Sequence, residues 1–117
     1  MLFRMANEAR FRKAFNLLGV SAERQTCQAM KGLIAEGDQV IQATGDAAVK
    51  DAALVAAGQR VEHYEMAGYG SARNFAQQCG RNDVADLLQQ TLDEEGNADK
   101  KLKEVAESSV NPAASHA

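Results

Sequence analysis

The sequence predicts an all-α fold. The single proline, Pro112, lies near the C-terminus and leaves everything before it free to continue as helix. Alanine, leucine, glutamine and glutamate, all good helix formers, dominate, and β-branched residues nowhere alternate over the length of a strand. At 117 residues and 45% hydrophobic content, the chain has material for one domain with one core.

The first helix is expected over residues 6–18, where Phe11, Ala14, Phe15 and Leu18 share an apolar face and Gly19 stands in the stop position. A second, over 24–43, follows Ser21 as N-cap, although Arg24 leaves the capping box incomplete. Its face is read as Cys27, Met30, Ile34, Gly37 and Ile41, and Thr44-Gly45-Asp46 closes it. The third is long, 47–79, and carries two stripes: Leu54, Ala57, Val61, Glu65, Gly68 and Phe75, and beside it Val55, Gly58, Glu62, Glu65, Tyr69, Ala72 and Ala76. Gly80 ends it. The fourth, 82–106, places Val84, Leu87, Leu88, Thr91, Glu95, Ala98, Leu102 and Val105 on one face. Residues 1–107 are thus expected to form the helical domain, and 108–117 (SSVNPAASHA, with small polar residues, the one proline and no periodicity) a flexible tail.

Charge excludes some functions. A net charge of −3 with scattered lysines and arginines gives no basic footprint for nucleic acid. No run approaches the roughly 18 apolar residues of a membrane helix, and MLFRMANEAR lacks the apolar centre of a secretory signal. The expected location is cytoplasmic. Cys27 and Cys79 are too far apart for a Cys-x-x-Cys site and are read as two reduced core thiols.

Chemistry concentrates in acids at core-like positions. Glu62 and Glu65 lie one turn apart on the third helix, and Glu95 and Asp99 one turn apart on the fourth. Side chains three or four apart leave one helix face together, and unpaired charge in a bundle interior is costly. Carboxylates from facing helices sharing a hard cation would compensate it. The alternative is a solvated face, with DEEGNADKK pairing its acids with its lysines. His63 falls off both stripes and is read as an exposed or locally bonded histidine.

CQAMKGLIAEGDQVI, DAALVAAGQRVEHYEMAGYGSARNFAQQCG and DVADLLQQTLDEEGNADKKLKEVA, between Cys27 and Ala106, resemble the YciE/YciF-like ferritin-like proteins. QRVEHYE, the A-x-Y-G of Ala67–Gly70 and LDEE occur together and in order. The resemblance implies an up-down antiparallel ferritin-like bundle, bacterial and stress-associated, with a di-iron or di-manganese type carboxylate site. It assigns Glu62 and Glu65 in RVEHYE, and Glu95 in LDEE with Asp99, as metal ligands. The family pairs a glutamate with a histidine three residues on, whereas Ala98 stands three after Glu95. Family members also begin with a further helix and a longer second one, so the resemblance reads this chain as N-terminally shortened. MLFRMA stands where acids are expected and only Glu8 remains.

Three function classes follow. The first is a ferritin-like stress protein whose iron or manganese site is incomplete in one chain and completed in a homodimer. The second is a structural or interaction module that binds no metal. A di-iron oxidase or peroxidase is the third, disfavoured by the missing histidines and carboxylates.

Overall fold

A computed structural model describes the backbone from Leu2 to Ala117 and the side chains from Asn7 onward. The expectation that MLFRMA carries no ligand falls on side chains outside that range. Among the described residues five α-helices follow in order: α1 (Leu2–Leu18), α2 (Gln28–Gln42), α3 (Ala47–Gln78), α4 (Asn82–Val105) and α5 (Asn111–Ser115), with a π-helical turn, Ala106–Val110, between the last two. Among the described residues there is no strand.

Local chemistry explains the helix ends. Gly19 and Gly80 adopt left-handed φ values of 70° and 69°. Each closes a Schellman motif, Val20 N–H donating to the Phe15 carbonyl at 3.2 Å and Arg81 N–H to that of Ala76 at 2.8 Å. Asp46 caps α3, its Oδ1 accepting from the Ala48 and Val49 amides at 2.8 and 3.2 Å.

Four expectations are corrected. The second helix begins at Gln28, not 24, and its cap is Cys27, whose Sγ accepts from Met30 N–H, rather than Ser21. Residues 16–29 are all exposed, so no burial supports a helical turn there. The face of α2 is rotated by about one residue. Met30, Leu33, Gly37 and Val40 are half-buried while Ile34 and Ile41 are 54% and 57% exposed. Both cysteines are free, as expected, but exposed rather than in the core, because one caps a helix and the other follows the last turn of α3. The segment after Ser108 is helical, with Pro112 in the first turn of α5, where the missing N–H costs nothing.

The chain divides into two compact units, whose boundaries fall inside α3 and α4. In the unit of Met1–Gln25 and Met66–Glu95, the core is Ala14, Val84, Leu87 and Leu88, with Phe11, Ala72 and Ala76 packed against it. The Phe11 and Tyr69 rings lie 5.3 Å apart and tilted at 40°. Ala14 meets the start of α4 while Arg10 and Asn7 meet Glu94 and Glu95 further along it, so α1 and α4 are antiparallel. Leu18 and Phe75, read as core, are exposed, Phe75 by 67%.

In the unit of Thr26–Glu65 and Gly96–Ala117, contacts again run in opposite chain directions. His63 meets Asp99 and Gly58 approaches Leu102, which sets this part of α3 antiparallel to α4. Cys27 meets Tyr64 and Glu36 meets Arg60, setting α2 antiparallel to α3. Ala57 and Ala106 are its buried apolar residues, and Val105 is exposed. No helix among the described residues is long and apolar enough to cross a membrane.

Candidate metal centre

Helix α4 buries Val84, Leu87, Leu88, Thr91 and Glu95 along one stripe, and the last two have 0% exposure. Glutamate on an apolar stripe is carried inward by the residues before it, since the helix gives position 95 the same bearing as 84, 88 and 91. The anomaly in the sequence pattern is therefore a buried acid.

Around it, α1 and α4 build a polar network. Arg10 forms a two-pronged pair with Glu94, Nη1 donating to Oε2 at 2.7 Å and Nη2 to Oε1. Arg10 Nη1 also donates to Asn7 Oδ1 at 3.2 Å and Thr91 Oγ1 at 3.3 Å, and the Thr91 hydroxyl donates to Asn7 Oδ1 at 3.2 Å. The Asn7 amide nitrogen lies 3.5 Å from Glu95 Oε1, the outer limit of a hydrogen bond. Glu95 Oε2 is buried without a hydrogen-bond partner. Neighbouring acids consequently diverge. Arg10 holds the Glu94 carboxyl below the usual range, while burial pushes Glu95 above it, the Asn7 contact recovering only part.

On α3, Glu62 and Glu65 are both half-buried, and Glu62 Oε2 has no hydrogen-bond partner. Burial pushes the Glu65 carboxyl up. His63, mostly exposed as its off-stripe position implies, brings Nε2 to 3.1 Å from Asp99 Oδ1, in a geometry that makes an ion contact but no hydrogen bond.

Glu62 and Glu65 offer carboxylate oxygens in one unit and Glu95 in the other. Asp99, the fourth acid singled out in the sequence, has His63 beside it. Buried carboxylate oxygens without donors, as on Glu62 and Glu95, suit a hard, oxygen-seeking cation. Sequence reading missed Asn7 and Arg10. The signal was present: positions 7, 10, 11 and 14 have the spacing of one helix face, so both polar residues lie in line with Phe11 and Ala14.

A family model described as a domain of unknown function, DUF892, matches residues 6–115. The chain belongs to the DUF892 family. It is 48% identical over 89 residues to Protein YciF of Escherichia coli K12, an alignment covering 76% of this chain and 54% of that protein. The DUF892 chain thus spans about half the length of this curated relative. It also matches the crystal structure of the E. coli stress protein YciF with a TM-score of 0.87 at 41% identity, over 92% of this chain and 68% of that one. The fold is accordingly that of a YciF-like helical bundle.

Proposed function

We propose that this chain is a YciF-type protein that binds iron or manganese through carboxylates, with Glu62, Glu65, Glu95 and Asp99 as its ligands. The observation that carries this reading is Glu95, a glutamate with no solvent exposure whose buried Oε2 has no hydrogen-bond partner. A buried carboxylate without a donor is costly unless a cation or a proton intervenes. With one oxygen from each acid, the proposed ligands fill fewer than the six positions of a hard octahedral cation, so water or a second copy of the chain completes the set. The exposed side chains of Phe75, Ile34 and Ile41 support a homodimer, and light scattering at micromolar concentration checks it. The relative's description as a stress protein extends to this chain, as part of the proposal, a role under stress; the cytoplasmic location proposed with it is the expectation from the sequence.

The test is thermal melting of protein freed of metal by a chelator that is then removed. Iron(II) or manganese(II) at about a hundred times its Kd stabilises the folded state by about 2.7 kcal/mol, and Glu65→Gln with Glu95→Gln abolishes the gain. An unchanged melting temperature for the wild type refutes the reading.

A second reading has its own support. Burial raises both Glu65 and Glu95, and neutral carboxyls can be held in a core without a cation. The chain is then a structural or interaction module, which the same melting experiment separates from the first.

A further inference from the structure

We infer that Asn7, locked by Thr91 and Arg10, is a positioning residue that turns the Glu95 carboxylate toward a bound cation. The inference rests on the metal reading above and adds residues from α1 to it.

The orientation of the Asn7 amide follows from donor chemistry. Arginine has no acceptor, so the Asn7 atom facing Arg10 Nη1 at 3.2 Å is the oxygen. The Thr91 hydroxyl, 3.2 Å away, donates to the same atom and occupies its second lone pair. The amide nitrogen is thereby committed to the opposite side, where Glu95 Oε1 lies at 3.5 Å. That contact is long and neutral. It aims the carboxylate without neutralising it, and leaves Oε2 buried with no partner.

Glu94 has a part in this arrangement. By engaging both terminal nitrogens of Arg10, it keeps the guanidinium on its own side of α4 and away from the adjacent Glu95. A guanidinium on Glu95 would supply the positive charge itself and remove the need for a cation. The neutral amide is the only group bonded to Glu95 among the described residues, so Glu95 keeps its charge available while its rotamer is fixed. Outer groups that orient a ligating side chain in this way commonly govern metal affinity by about 10–100-fold.

Manganese(II) binding to the chelator-treated full chain, measured by calorimetry and by the loss of the free-ion electron paramagnetic resonance signal, tests the assignment. Asn7→Ala is expected to weaken binding about 10–100-fold. Thr91→Val, nearly the same shape, is expected to weaken it less. Because both act through one amide, Thr91→Val should cost nothing further in the Asn7→Ala background, a coupling that a purely packing role does not produce. Circular dichroism of the metal-free variants checks folding, and if Asn7→Ala does not fold, Thr91→Val alone decides. Wild-type affinity in the folded variants, with Glu95→Gln unable to bind, overturns the assignment and leaves the metal reading standing. Additive losses in the double variant also overturn it, and a wild type that binds no manganese(II) overturns both.

Discussion

Replacing Glu95 with glutamine should stabilise the metal-free protein, which is the opposite of what loss of a buried hydrogen-bonding side chain ordinarily does. Glutamine keeps the volume, the two buried methylenes and the oxygen that faces Asn7, so the change isolates the charge. An unsatisfied buried polar atom costs about 1–3 kcal/mol, and more when charged, while the single long amide contact returns a fraction of a kcal/mol. The glutamine NH2 has its own burial to satisfy, so a net gain of about 2 kcal/mol near pH 7.5 is the expectation. At about 2.1 cal/mol/K of unfolding entropy per residue, a chain of 117 residues gains about 4 °C in Tm per kcal/mol, or about 8 °C in all. The assay is a pair of melting curves in chelator, at pH 7.5 and at pH 5. The advantage of the variant should shrink as pH falls through the raised pKa of the wild-type carboxyl, which then takes up a proton and becomes equally neutral. A variant less stable than wild type at pH 7.5 would mean that the carboxylate is paired or hydrated, and the account of a buried, donor-poor acid would be wrong.

Three further expectations come from other parts of the chain. Glu65 and Glu95 have folded pKa values raised above the usual 4.5. Their contribution is complete below about 4.5 and lost as pH rises through the raised values, so metal-free protein should melt higher at pH 5 than at pH 7.5. Further acidification should reverse the trend, since Glu94 and Asp83, held low by Arg10 and Arg81, lose their pairs as they protonate. Gly96→Ala should gain about 1 kcal/mol in a chemical melt, because Gly96 is inside α4 and an added Cβ meets nothing within 4 Å; no gain would reveal a backbone requirement at that turn. Cys27, whose thiol is pulled below its usual range by the Tyr64 hydroxyl at 2.9 Å and the Met30 amide, should react with iodoacetamide faster than Cys79 at pH 7.5. Tyr64→Phe should slow it, and equal rates before and after that change would rule out the contact in solution.

How much of this was legible depended on how many positions competed for one face. On α4 there was little competition: Val84, Leu87, Leu88 and Thr91 leave one bearing for the core, and Glu95 follows from it. On α2 the adjacent pairs Leu33-Ile34 and Val40-Ile41 offer two apolar stripes one residue apart, and period alone does not rank them. Long α3 and α4 were legible to within one residue at their ends because Asp46 and Gly80 are strong caps, whereas Ser21 lacked the glutamate that completes a box. The last ten residues have no apolar period, yet extend the helical run, with Ala106 buried just before them. In the site, the acids were visible by their position on apolar stripes. Asn7 and Arg10 shared a face with Phe11 and Ala14, but polar residues at the edge of an apolar stripe read as solvent-facing until the facing helix supplies Glu94 and Thr91.

The central claim is that these carboxylates hold a cation, and the metal content of the protein itself tests it most directly. Elemental analysis of chain purified without chelator, beside the Glu65→Gln, Glu95→Gln double variant prepared in parallel, should find iron or manganese in a fixed ratio to wild-type protein and almost none in the variant. Equal, substoichiometric metal in both preparations would contradict the account and leave a helical module whose buried acids are neutral.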